Sequence, residues 1–159
     1  MLRIEPFQLA DLPLVATFIA ALQDHERATV PELKPGHEIA AAYVEAMARR
    51  FRENDGVMLM ARRETETVGF VVGWVEVDGD LCLEQEARRY ALVSDIYVME
   101  AARRQGIAHR LLAEFEAAMR QRGCVRLRLC AKATNLGAVA CYEAAGYRAY
   151  EVILSKRIG

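Results

Sequence analysis

The residues with the most chemical potential are Arg103-Arg104-Gln105-Gly106-Ile107-Ala108-His109, which follow the strand-like run Ile96-Tyr97-Val98 and open a helical pattern. In the first turn of a helix the backbone N–H groups have no intrahelical partner, and the helix dipole favours negative charge there. A chain ordinarily supplies its own acceptor. No Ser, Thr, Asp or Asn stands at positions 103–108, and the first acid of the helix is Glu114. Arg103, Arg104, His109 and Arg110 carry the wrong sign for the dipole unless an anion docks among them. Gly106 has no Cβ, so the backbone can approach a phosphate closely, and Ala108 is small enough to keep the helix end open. The junction predicts a helix start left free for a phosphate-bearing ligand.

Two further groups could do chemistry. On a short helix starting at Asn135, residues 135, 138, 142 and 145 share a face, so Asn135, Ala138 and the phenol of Tyr142 look the same way. The plain alternative for Tyr142 is a half-buried core aromatic. Asp95 stands in an otherwise apolar strand, on the face expected for Val93 and Tyr97. A carboxylate there is costly unless it is paired or lines a wet cleft. A structural hydrogen bond to a neighbouring loop would also account for it.

Other chemistries find little support. There is no G-x-x-x-x-G-K-[ST], and no G-x-G-x-x-G with an acid about 20 residues on, which disfavours a nucleoside triphosphate or a dinucleotide. Cys82, Cys124, Cys130 and Cys141 form no C-x-x-C and read as buried free thiols, and His25, His37 and His109 are too scattered for metal ligation, so no metal is expected. With 21 basic and 22 acidic side chains, nothing global steers the chain to nucleic acid or to an acidic membrane. No run approaches the roughly 20 apolar residues a bilayer requires. A cytoplasmic protein is expected, and 159 residues with 53% apolar content predict one domain spanning 1–159.

The elements that must position these groups follow from periodicity. Leu2 to Glu5 reads as a strand, and Asp11 as the cap of a helix with Pro13 in its first turn, ending near Gln23. Asp24 to Gly36 reads as a loop. Ile39, Tyr43, Met47 and Phe51 recur every four residues and make Glu38 to Arg52 an amphipathic helix that ends at Asn54-Asp55-Gly56. Val57 to Arg63 and Val68 to Val77 form a hairpin, and Glu84 to Arg88 is a charged loop. Tyr90 to Val98 is a strand, Ile107 to Arg122 a helix closed by Gly123, and Val125 to Cys130 a strand with one wet face. This strand, helix, strand unit predicts a parallel pair. Asn135 to Ala145 is helical, and Tyr147 to Arg157 supplies terminal strand material.

From Val93 to Tyr147 the chain resembles the GNAT superfamily of acyl-CoA N-acyltransferases. The resemblance rests on D-I-Y-V, R-R-Q-G-I-A, L-L-A-E-F, Asn135 and A-x-x-x-Y-E-x-x-G-Y in order; Met1 to Asp80 matches only in its order of elements. It implies an α/β fold with a mixed, mostly antiparallel sheet of six or seven strands, splayed at the centre, and about four helices. It implies that acetyl-CoA is the acyl donor, its pyrophosphate on the amides of Gln105, Gly106, Ile107 and Ala108, with Arg103, Arg104 and His109 beside it. The pantetheine arm would lie along Ile96, Tyr97 and Val98, near Asn135 and Ala138. Tyr142 would protonate the leaving sulfur, Asp95 would act as base or position the amine, and the Val98 N–H would hold the thioester oxygen. The implied reaction is transfer of acetyl to a primary amine of a small molecule, with homodimerisation common among such proteins.

The acceptor would enter past Asp24 to Gly36 and Glu84 to Tyr90, where Asp24, Glu26, Glu32, Glu84 and Glu86 make an acidic mouth favouring a cation. The competing reading is an acyl-CoA-binding sensor or interaction module without catalysis.

Overall fold

The computed structural model describes residues 1–158. In chain order it has β1 (Leu2–Pro6), a 3-10 turn (Leu9–Asp11), α1 (Leu12–Arg27), α2 (Gly36–Glu53), β2 (Val57–Arg63), β3 (Glu66–Val77), α3 (Gln85–Arg88), β4 (Arg89–Val98), a second 3-10 turn (Glu100–Ala102), α4 (Ile107–Gln121), β5 (Leu127–Leu129) and α5 (Leu136–Ala144). The sheet order is β1-β2-β3-β4-β5, antiparallel as far as β4 and parallel between β4 and β5.

The sheet separates two cores. On one face α4 buries Ile107, Leu111, Leu112, Phe115 and Met119, the stripe its 3.6 period dictates, against Val71, Val75, Ala91 and Val93. Each such side chain contributes about 1.5–3 kcal/mol on burial. On the other face Val15, Phe18 and Ile19 of α1 and Val44 and Met47 of α2 cover Met60, Phe70, Val72 and Trp74. β3, buried on both faces, accordingly reads as a nearly continuous apolar run.

Several expectations are corrected. Among the described residues the sheet has five strands, not six or seven, because residues 147–158 form no strand. Five α-helices are present rather than four, since the charged segment near Glu84 winds into α3. The strand expected over Val125 to Cys130 pairs only across Leu127–Leu129, and Val125 is exposed. α1 continues past Gln23 to Arg27, there being no breaker before Pro31. Asp11 does stand at the start of α1, but its carboxylate accepts from the Gln8 N–H at 2.9 Å and from Arg62 at 2.7 Å, not from the amides of the helix. The cysteines are free, yet only Cys124 is buried; Cys82 and Cys130 are exposed because they fall in segments outside the strands.

The feature that matters most for the site is a slip in β4. β3 and β4 pair Val72 with Asp95 but Gly73 with Val93, so Ser94 is an extra residue, a β-bulge. Gly73 is needed opposite it: a Cβ there would stand 2.0 Å from the Leu92 carbonyl oxygen and 2.6 Å from Phe115 Cζ.

Candidate active site

The bulge reverses the parity of β4. Before it, Ala91 and Val93 lie in the α4 core and the Ala91 N–H points to the β5 side, donating to Arg126 O at 2.8 Å. After it, Ile96 and Val98 occupy the α4 side while Tyr97 faces α1, its ring 5.2 Å from that of Phe18. Asp95 therefore shares a face with Tyr97 but not with Val93, which corrects the expected arrangement. The ladder to β5 reaches only Val93 with Leu129, whereas β4 runs on to Val98. Past the bulge the Met99 N–H donates to Val68 O at 2.9 Å. By the alternation of an antiparallel ladder, the polar groups of Tyr97 then turn to β3, and those of Ile96 and Val98 turn to the unpaired edge. Of the three strand residues predicted to meet a ligand, Ile96 and Val98 present backbone there and Tyr97 does not.

At the end of that edge stands the uncapped helix. Gly106 is the N-cap of α4 with φ +75°, no side chain caps it, and no acid lies in the first turn. The first intrachain amide bond is Arg110 N–H to Gly106 O at 3.1 Å; the amides of Arg104, Gln105, Gly106, Ile107, Ala108 and His109 find no acceptor among the described residues. Arg104 also takes a left-handed backbone, φ +61°. Such a residue costs of order 1–3 kcal/mol unless its surroundings enforce it, and successive amides turned inward in this way form an anion-binding concavity. A Cβ built on Gly106 would meet open space, so the cradle is accessible. These donors suit a pyrophosphate.

The side chains around the cradle divide. Arg103 folds back: its Nε donates to Val98 O at 3.0 Å and its guanidinium lies 5.8 Å from the Tyr97 ring centre. Gln105 Oε1 accepts from Arg63 at 2.6 Å and its Nε2 donates to Ala101 O at 3.4 Å, which leaves its backbone for an anion. Ile107 is buried in the α4 core, so it too offers backbone alone. Arg104 and His109 remain exposed.

α5 packs on the α4 core through Tyr142 and Ala145, with Asn135 at its start and half-buried Ala138 between. Asn135 Oδ1 accepts from the Ala138 N–H at 3.2 Å, so the side chain is first a helix cap, and its amide nitrogen is what it can still offer. Burial pushes the Tyr142 phenol up to about 12, with Cys141, Glu26, Tyr147 and Asp95 adding to it. It stays protonated at neutral pH.

Asp95 is 9% exposed and tightly held. The Tyr43 hydroxyl donates to its two oxygens at 3.0 and 3.1 Å, and Ser94 Oγ donates at 2.7 Å. Burial raises its carboxyl above the usual range, the Ser94 and Tyr43 bonds pull it back in part, and Glu26 raises it further. Tyr43 is raised as well, first by burial and then by Asp95. Tyr43 is a participant the sequence did not disclose: in the four-residue repeat it passed for a core residue, but it is 40% exposed. Its distinguishing signal would have been a phenol on a helix facing a strand that carries a lone carboxylate.

Of the acidic mouth, Glu26 is drawn in, its charge acting on Tyr43, Asp95 and Tyr142 alike. Asp24 is not: it accepts from the Gly36 N–H at 2.7 Å and fastens the start of α2. Glu32, Glu84 and Glu86 are solvated. Thr29 and Thr134 meet at 2.9 Å, tying the loop after α1 to the segment before Asn135. Beside Asp95 a hollow of about 200 Å³ is lined by Tyr43, Ala46, Met47, Arg50, Trp74 and Ser94. Another, about 250 Å³, lies against Glu116, Arg120, Cys124, Val125 and Leu127 and touches none of the predicted site residues. Among the described residues no group of His, Cys, Asp and Glu side chains could hold a metal ion, and no helix is long and apolar enough to cross a membrane.

The fold is a mixed sheet in which β4 runs on past the end of β5 and finishes beside an uncapped helix. The chain belongs to the acetyltransferase (GNAT) family, whose model matches residues 19–147. Solved structures share the fold. One is a predicted acetyltransferase from Clostridium acetobutylicum with acetyl-CoA (16% identity, 99% of this chain, 96% of that one, TM-score 0.76). Another is an aminoglycoside antibiotic 6'-N-acetyltransferase from Acinetobacter haemolyticus (20% identity, 99% of each chain, TM-score 0.70). A curated relative, the chloroplastic GCN5-related N-acetyltransferase 4 of Arabidopsis thaliana, is 35% identical over 91 residues, 53% of this chain; the match spans 31% of that protein's length.

Proposed function

We propose that residues 1–159 act as one domain that transfers acetyl from acetyl-CoA to a primary amine by direct attack. The observation that carries this reading is the run of six amides without acceptors at residues 104–109, set at the end of the unpaired edge of β4. Acetyl-CoA, when bound, supplies an activated thioester. The amides of 104–109 would hold its pyrophosphate, with Arg104 and His109 adding charge, while the Ile96 N–H and C=O would pair with the pantetheine arm, whose amides are costly to bury unpaired. Arg103 occupies one acceptor of that edge, and we assign it to bracing Val98 and Tyr97.

An amine arrives as an ammonium and must lose a proton before it can attack. Asp95 would take it, directly or through water, and its raised pKa brings it closer to that task than an ordinary carboxylate. Ser94 and Tyr43 orient it. The Val98 N–H would stabilise charge on the thioester oxygen. Tyr142, held protonated by burial, would donate to the departing sulfur. The family, and structural neighbours that include aminoglycoside acetyltransferases, one of them in complex with CoA, support the reaction class.

The test is an amine panel with acetyl-CoA, read as free thiol release and as product mass. Tyr142→Phe should lower kcat by about 100-fold or more, within the range of a lost general acid, and leave acetyl-CoA affinity nearly unchanged. Unaltered turnover would remove Tyr142 as the acid. Cofactor binding with no turnover on any amine would favour a sensor.

A further inference from the structure

We infer that the hollow beside Asp95 receives the body of the acceptor, and that this acceptor is an arylalkyl monoamine rather than a polycation. The inference rests on the proposed amine acetylation and specifies its substrate. The hollow measures about 200 Å³, and four of its lining residues, Trp74, Met47, Ala46 and Tyr43, are apolar or aromatic. An apolar cavity of about 150 Å³ suffices for benzene, so one ring on a short stem fits.

The charges give the hollow a direction. At one end Tyr43 and Ser94, both lining it, donate to Asp95, and the Glu26 charge is felt there too. That end takes an ammonium. At the other end stands Arg50, seven residues and two helical turns along α2, roughly 10 Å away at 1.5 Å per residue. The nearby carboxylate of Glu76 is already engaged, accepting from Trp74 Nε1 at 2.7 Å and from Arg50 at 3.3 Å. A second ammonium would therefore meet a closed Arg50–Glu76 ion pair and no free carboxylate. A ring, with or without a neutral or anionic substituent toward Arg50, meets apolar walls.

The experiment compares kcat/KM for 2-phenylethylamine, ethylamine and spermidine in the wild type and in Ala46→Phe, a half-buried position whose enlarged side chain would fill the hollow. We expect 2-phenylethylamine to be preferred over both others by about tenfold or more, on the scale that pocket contacts discriminate. In Ala46→Phe the ratio of 2-phenylethylamine to ethylamine should fall by about the same factor, with the thermal midpoint and acetyl-CoA affinity verifying the fold. A preference for spermidine, or a ratio that Ala46→Phe does not move, overturns the inference. If no amine is acetylated at all, the proposed reaction fails. The groove is then judged by calorimetric binding of 2-phenylethylamine, which must weaken in Ala46→Phe for the assignment to stand.

Discussion

Two helix starts in this molecule are finished in opposite ways. Ahead of α1, Asp11 accepts from the Gln8 N–H and from Arg62, and Arg62 also engages Glu5 at 3.1 Å and Thr67 at 2.6 Å. The charged side chains there are paired within the chain, although no side chain caps the amides of α1 itself. Ahead of α4, six amides, an exposed arginine and an exposed histidine have no acceptor. The first junction invests its charged groups in the fold, and the second leaves its polar groups open, which is why we propose a ligand there. Stability and binding should therefore respond to substitution separately at the two places.

The largest effect on stability is expected at the closed junction. Asp11→Ala removes the more buried carboxylate partner of the Arg62 guanidinium, leaving it Glu5 and Thr67, and should cost about 2 kcal/mol, visible as a lower thermal midpoint, with acetyl-CoA affinity intact. The same residue sets an acid limit. Burial alone would raise its pKa, but the bonds from Arg62 and from the Gln8 amide, with the Arg62 charge, hold it below the ordinary value. A depressed carboxylate contributes stability that is full above the ordinary aspartate range and is lost as pH falls through the depressed value. Melts of Asp11→Ala should lack that acid component; an identical pH profile would show that the junction is not closed by this group.

At the open junction the order reverses. Gly106→Val must adopt φ +75°, costing about 1–2 kcal/mol, and should weaken acetyl-CoA binding by about tenfold or more through the displaced amides. Equal affinity by calorimetry would sink the phosphate cradle. The smallest effect sharpens the contrast most. His109→Glu places an acid in the first turn of α4 and should stabilise the fold by about 0.5 kcal/mol through the helix dipole while weakening the cofactor. If both quantities move the same way, the two junctions are not opposites.

A fourth expectation concerns Asp95. The Tyr43 bond lowers its pKa, so Tyr43→Phe should shift the acid limb of kcat/KM toward higher pH. A limb that stays in place would leave Tyr43 a packing residue only.

Much of this was legible in the residues themselves. The open helix start shows as missing cap residues, and the face of α5 as a spacing. The strand to helix to strand order around α4 follows from a change of period. The side of β4 that carries Asp95 was not legible, because alternation assumes an unbroken count and a bulge at Ser94 adds one residue without any mark in composition. Tyr43 was hidden for the converse reason: it obeys the four-residue repeat of its helix, and only the tertiary fold shows that the repeat faces a carboxylate. The segment after Gly146 is rich in strand formers, yet a strand requires a paired edge as well as suitable residues. Among the described residues Tyr150 reaches back only to Arg128, whose guanidinium stacks between it and Tyr90.

The extra residue at position 94 has a consequence for how this sheet could change over time. It splits one strand into two reading frames. Upstream, odd positions serve the α4 core; downstream, even positions do, and the free backbone edge changes phase with them. Deleting Ser94 would join the frames without turning either over: Val93 and Asp95, already opposite the consecutive Gly73 and Val72, would become neighbours on the faces they hold now, and Ile96 and Val98 would keep the free edge. The proposed site can therefore absorb a change of length at this one position, at the cost of the Ser94 bond to Asp95, whereas a residue lost elsewhere in β4 would turn half of the strand over.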